Sequence, residues 1–543
     1  MIRVVNPPDR CDELLSRFER EGILSRIWAH DFTVWKSEPT EITNRLGWLH
    51  APFSMVRELD RLDAFVHGVR SDGIEHVLLF GMGGSSLAPD VFARAFGPAP
   101  AYPALTVLDS THPAAVADVE RQLDLSRTLF LVATKSGTTT ETLSLFRYFH
   151  SRVREAEGEA EAGRRFVAIT DPGSPLVDLA ARHGFRETFL NDPNIGGRYA
   201  ALSLVGLVPA ALLGIDVARL LERAQRTSIE CAKYEPLDGN PAVRIGATLA
   251  ASTLGGRDKV TFLFPPRIAG FGDWIEQLIA ESTGKEGTGI LPVIGEPPGP
   301  PDAYDVDRVF LHIRNEGDRA QDAAVDALAD AGHPVARLDL QETIELGGQY
   351  FLWELATAIV GHVLRINPFD QPNVESAKSL AREMVQRFRR TGALPKTPFE
   401  APDPEILGHF LHGGLPGDYV ALQAYLPPTP GAADALCRLR TAIRDRWRRA
   451  TTVGFGPRFL HSTGQLHKGD RGNGLFIQLL VDPERDVPIP DDDGSTLTFG
   501  TLIAAQAGGD RRALIDAGRR VLTIRLDRPY ADEQIRQLAG GLS

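Results

Sequence analysis

The chain has 543 residues, 43% hydrophobic and 24% charged, with a formal net charge of -12. That length exceeds one ordinary hydrophobic core and fits a globular protein of roughly two to four domains. The acidic balance argues against non-specific nucleic-acid binding, but leaves open a small anion held locally by N–H groups and a few cations.

No apolar run approaches the ~20 residues of a membrane span, and the N-terminus carries charges where a signal peptide needs an apolar core. Cys11, Cys231 and Cys437 are far apart in sequence, without metal-ligand or CxxC spacing, which suits free thiols in a reducing compartment. The expectation is a soluble, cytoplasmic protein with no membrane or nucleic-acid partner.

In chain order, residues 1–70 read as a helical segment, with apolar spacing in Cys11–Phe18 and Met55–Val69. Over 71–235, strand candidates at Val77–Phe80, Ala104–Leu108, Leu129–Ala133, Phe166–Ile169 and Phe185–Leu190 alternate with helical stretches. That alternation predicts a doubly wound parallel sheet. A second unit of the same kind covers 236–395, with strand candidates Val260–Phe264, Arg308–Ile313 and Pro334–Leu340 and a buried helix at Tyr350–Leu364. Dense Pro and Gly punctuation then leads to 400–543. Strand-like Tyr419–Leu426, Leu475–Val481 and Val521–Leu526 and helical Ala432–Arg448 and Leu502–Ala517 predict a small α+β domain there. The expected class is α/β, with two doubly wound domains and this α+β appendage.

Two loops carry chemistry. Gly81-Met82-Gly83-Gly84-Ser85-Ser86 joins a strand to a helix, where glycines allow close backbone approach and free N–H groups attract an anion. A dinucleotide loop would need GxGxxG spacing and a later acidic residue, which are missing; a plain tight turn is the bland alternative. Thr134-Lys135-Ser136-Gly137-Thr138-Thr139-Thr140-Glu141 gathers hydroxyls and a lysine at another helix start, suited to phosphate oxygens. Thr138 and Glu141 also have capping-box spacing, but capping needs one hydroxyl rather than a cluster.

These loops resemble the SIS phosphosugar-binding domain, and three further segments narrow the resemblance to the glucose-6-phosphate isomerase family. They are Gly196-Gly197-Arg198-Tyr199 with the following Ala201–Leu207, Gln277 through Glu281-Ser282-Thr283-Gly284-Lys285, and Asn367-Pro368-Phe369-Asp370-Gln371 through Glu375 and Lys378. Within that family the chain is most similar to the isomerase halves of bifunctional transaldolase/glucose-6-phosphate isomerases, which share the pattern around His461–Gly469. No transaldolase half is visible.

The resemblance implies two SIS-type sheets and interconversion of glucose 6-phosphate and fructose 6-phosphate through ring opening and a cis-enediol. It makes Glu281 the base, with Gln277 one helical turn earlier on the same face. Arg198 would stabilise enediolate charge or hold substrate, and Lys378 is associated with ring opening. Gly84, Ser85, Thr134, Lys135, Ser136, Thr138 and Thr139 would contact the phosphosugar, with Ser86 beside them. Glu375 and Asp370 read as helix-start and packing residues. The chemistry needs no metal or redox cofactor, and the sequence offers no convincing site for either.

One departure matters. The family's larger members carry a ring-opening histidine in a T-N-G-Q-H context, but Asn315–Gln321 contains none. The C-terminal region is therefore expected to supply His467, or else His461, unless these histidines are structural. Relatives pair so that a neighbour completes the site, so a homodimer and a self-contained appended domain both remain open. Two competing functions are an isomerase for another hexose phosphate and a non-catalytic phosphosugar sensor. A sensor has no use for Glu281, Arg198 and Lys378 together.

Overall fold

A computed structural model describes residues 2–232, 236–490 and 497–542, in three sheets. The boundary expected between residues 235 and 236 falls beside 233–235, outside the described residues. The first strand, β1 (Arg3–Val5), lies in the segment expected to be helical. It pairs antiparallel with the edge of the second sheet, a pairing across more than 300 residues that local periodicity cannot announce.

The first sheet contains β2 (His76–Phe80), β3 (Ala104–Leu108), β4 (Thr128–Ala133), β5 (Phe166–Thr170) and β6 (Glu187–Leu190). All its pairings are parallel, in the order β3-β2-β4-β5-β6. Every residue of β4 is buried, as expected of a strand covered by helices on both faces. The chain leaves β2 for β3 on one side and then crosses to β4 on the other. The loops after β2 and β4 therefore diverge at the carboxyl edge and leave a crevice, the usual ligand position in such sheets. Helices α1 (Leu87–Phe96) and α2 (Thr140–Glu157) start from those loops.

The second sheet adds β7 (Lys259–Leu263), β8 (Leu291–Val293), β9 (Arg308–Asn315) and β10 (Val335–Leu340), in the order β1-β10-β9-β7-β8. The three-residue β8 was not predicted, being too short for a period. Helix α3 (Phe271–Thr283) follows β7, and α4 (Leu346–Leu364) is buried on nearly all sides. An all-round apolar helix of that kind belongs in a core. Helix α5 (Val374–Thr391) then leads toward the C-terminal region.

The C-terminal region corrects the α+β expectation. Its strands β11 (Tyr419–Tyr425), β12 (Thr451–Phe455), β13 (Gly474–Val481) and β14 (Arg520–Leu526) form a wholly parallel sheet, β12-β11-β13-β14. The unpredicted strand is the polar edge strand β12. With it present, a helix lies between each successive pair of strands, including α6 (Gly464–Gly469) and α7 (Phe499–Asp516), and helical crossovers join parallel strands. Among the described residues no helix is long and apolar enough to cross a membrane.

Candidate active site

The crevice at the carboxyl edge of the first sheet opens into a cleft of about 740 Å³ where all three sheet regions meet. The glycine loop forms one wall. A Cβ on Gly84 would lie 2.0 Å from the Gly197 carbonyl oxygen, so this loop and the Arg198 loop meet backbone to backbone. Gly83 has φ +56°, and a Cβ there would lie 2.7 Å from the His461 carbonyl oxygen. The glycines thus serve the meeting of three chain segments. Ser85 lines the cleft, while the buried Ser86 turns its hydroxyl to the Gly83 carbonyl. Gly84→Ala is expected to separate the two loops, cost about 2 kcal/mol or more of stability and abolish most turnover, as read by thermal melting and steady-state rates.

At the start of α2 the hydroxyls pair with one another, Thr134 with Thr139 at 2.8 Å and Ser136 with Thr138 at 2.9 Å. Lys135 is paired with Asp171 and donates to the Pro193 carbonyl at 3.0 Å. The capping box, the bland alternative for this loop, does not form: the N-cap is Thr139, without a side-chain cap bond. Glu141 instead faces the cleft, accepting from His461 Nε2 at 3.0 Å and from Gln506 Nε2 at 2.7 Å. Burial pushes the Glu141 carboxyl upward, but the charge and hydrogen bond of His461, with a backbone hydrogen bond and the Lys378 charge, together more than reverse this, and it lies below its ordinary value. Thr111 donates to Gln506 Oε1 at 2.8 Å, which fixes the amide's orientation.

Glu281 stands near the end of α3, with its Oε1 3.0 Å from Arg198 and its Oε2 accepting from Gln277 at 2.9 Å. Gln277 also donates to the His461 carbonyl at 2.8 Å, so it bridges the acid to the C-terminal loop as well as lining the cleft. Arg198 is 3% exposed and donates to Ser282, Gln371 and the carbonyls of Pro368 and Asp370. All three of its nitrogens are engaged, so it orients Glu281 and supplies positive charge rather than reaching out to grip a ligand. Lys285 clasps the same loop through Asn367 and Asp370; burial and the Arg198 charge lower its pKa to about 8.

Lys378 lines the cleft from the first turns of α5, half-exposed and 3.0 Å from Glu375. Its position depends on α7: a Cβ on Gly509 would approach the Ala381 nitrogen to 2.8 Å, so small residues let the two helices lie close.

The structure corrects the expectation for His467. It is buried among Tyr419, Phe459 and Phe476 and does not line the cleft. Its Nε2 has no hydrogen-bond partner among the described residues. Burial, then the charges of Lys468 and Arg519, hold it well below the ordinary histidine range. His461, six residues earlier, occupies the cleft instead.

A neutral buried histidine lowers stability as pH falls below its unfolded value of 6.5, because only the unfolded state takes the proton. His467→Gln should therefore flatten the acid limb of a stability-against-pH curve and leave turnover within about threefold.

Sequence reasoning missed Gln506 and the roles of Gln371 and Glu141. Gln506 lies 365 residues from Glu141 and carries no local signal. Among the described residues no group of three His, Cys, Asp or Glu side chains is placed to hold a metal.

Residues 55–289 match the phosphoglucose isomerase family model, a span that includes Gly84, the hydroxyl loop, Arg198 and Glu281. A glucose-6-phosphate isomerase of Rubrobacter xylanophilus is 31% identical over 369 residues, covering 59% of this chain and 84% of that protein. The chain belongs to the phosphoglucose isomerase family. A second member, the glucose-6-phosphate isomerase of Acholeplasma laidlawii, is 28% identical over 384 residues, covering 61% of this chain and 88% of its own length.

Among solved structures, a hypothetical protein of Thermus thermophilus superposes with TM-score 0.62 at 26% identity, covering 71% of this chain and all of that one. A Chlamydia trachomatis glucose-6-phosphate isomerase superposes with TM-score 0.59 at 19% identity, over 70% of this chain and 86% of its own, a likeness of fold. Lys378 and His461 lie outside the span matched by the family model.

Proposed function

We propose that this protein interconverts glucose 6-phosphate and fructose 6-phosphate, the reaction its curated relatives are named for. The observation that carries the proposal is the Glu281 carboxylate, held by Arg198 and Gln277 in a cleft that also contains a hydroxyl-rich helix start. The phosphate seats on Ser85, Thr134, Lys135, Ser136, Thr138 and Thr139, displacing the mutual hydroxyl bonds and sharing Lys135 with Asp171. Charge-assisted bonds to several donors at a helix start favour a dianion there.

His461 opens the ring. With Nε2–H donated to Glu141, its other nitrogen is left to take the proton of the anomeric hydroxyl and deliver one to the ring oxygen, and Lys378 supplies positive charge across the cleft. Glu281 then removes the proton at C2 and returns it to C1, and Arg198 steadies the enediolate charge between the two steps. Because His461 belongs to the same polypeptide, one copy of the chain completes the site.

A coupled assay tests the reading: fructose 6-phosphate is supplied, and glucose 6-phosphate is followed with its dehydrogenase. Turnover by the purified chain is expected. Binding of the sugar phosphate without turnover would overturn the isomerase reading in favour of a sensor.

A further inference from the structure

The loop after β12 reaches the cleft through a charged junction with no part in the chemistry described so far. Arg458 lies 2.9 Å from Asp90, 3.2 Å from Asp109 and 3.3 Å from Asp273. Asp90 is in the first turn of α1, Asp109 follows β3, and Asp273 is in the first turn of α3, the helix that carries Glu281. One guanidinium therefore ties the first sheet, the second sheet and the C-terminal region together. Arg94 shares two of the carboxylates, at 3.6 Å from Asp90 and 2.8 Å from Asp273. Asp109 is buried and takes its counter-charge from Arg458.

What links this junction to the reaction is local geometry. Arg458–His461 is a single 3₁₀ turn. Residues three apart in such a turn eclipse one another on one face. Arg458 and His461 are the two ends of that turn, so the carboxylates that seat the first residue also set where the second stands. The far side of His461 is held through its carbonyl by Gln277. Phe459, between them, packs edge-on against Tyr425 and closes the turn on the C-terminal sheet. A solvated surface ion pair would have none of this framing. Displacing a proton-transfer group by about 1 Å costs on the order of a hundredfold in rate.

We infer that Arg458 is a positioning residue for ring opening: its clamp on Asp90, Asp109 and Asp273 holds the turn that presents His461 to the sugar. This rests on the isomerase reading and on His461 as the ring-opening group. Arg458 touches no substrate, and proton transfer at Glu281 does not pass through it.

The test is a double-mutant cycle. Arg458→Met and Arg458→Lys are made in the parent and in His461→Ala, and kcat and KM are measured with fructose 6-phosphate. Solvent deuterium exchange is followed in parallel on a short aldose phosphate that cannot close a ring. In the parent, Arg458→Met should lower kcat by about ten- to a hundredfold, with KM and acyclic exchange within about threefold. Arg458→Lys should restore most of the loss, and in His461→Ala the Met substitution should do nothing further.

An equal loss in both backgrounds, or an equal loss of acyclic exchange, would overturn the inference. If Arg458→Met does not fold, Asp109→Asn carries the same cycle, with the same two outcomes deciding. A parent without turnover would refute the isomerase reading instead, so the two failures are distinguishable.

Discussion

Glu281→Gln lowers turnover of fructose 6-phosphate by about a thousandfold or more, with KM changed by less than about threefold. The amide keeps the shape of the acid and can still accept from Gln277, so binding survives. It cannot take the proton from C1 of the ketose and return it to C2, and among the described residues no other carboxylate is held by Arg198. Deuterium exchange distinguishes a lost base from a disturbed fold. The parent should incorporate solvent deuterium into an acyclic phosphosugar, and the variant should not. Exchange at the parental rate in the variant would remove Glu281 as the base. Stability falls as well, since Arg198 is then buried with no carboxylate partner, and loss of one partner from a buried pair costs about 3 kcal/mol or more.

His461→Ala gives the opposite pattern. Turnover of cyclic substrate falls by about a hundredfold, while exchange on the acyclic phosphosugar stays within about threefold. A loss of both would mean that His461 serves the fold or the enediol step rather than the ring.

The variant also has a pH signature. In the parent, His461 holds Glu141 below its ordinary 4.5, so this carboxylate adds stability above pH 4.5 that is lost as pH falls through its folded value. Without His461 two of the causes that lower the folded value are lost while burial still raises it, so the folded value moves upward and the stability gained above pH 4.5 shrinks. Thermal melts of parent and variant from pH 4 to 8 should therefore diverge upward in pH. Parallel curves would show that Glu141 takes no charge from His461.

Local pattern accounts for much of what could be read before the structure. Strands such as Leu129–Ala133, buried on both faces, announce themselves as unbroken apolar runs, and the loops after β2 and β4 by glycines and hydroxyls. Arg198, Glu281 and Lys378 were nameable because each sits inside a segment whose residues are near neighbours in sequence. Even there the structure changed the account, since the nitrogens of Arg198 are already engaged and Gly83-Gly84, which line the cleft, also admit the backbones of two other segments.

The sequence by itself determined the α/β alternation, the family and the short segments that hold Glu281 and the phosphate loop, because those depend on residues within a turn or a strand of one another. Only the tertiary structure decided which histidine meets the cleft. His461 and His467 share one motif, yet the first stands at a domain seam and the second among aromatic rings. It likewise decided that Glu141 answers to Gln506 across 365 residues, and that β12 makes the last sheet parallel. Such pairings are set by how whole elements pack, and packing over hundreds of residues leaves no period in the chain.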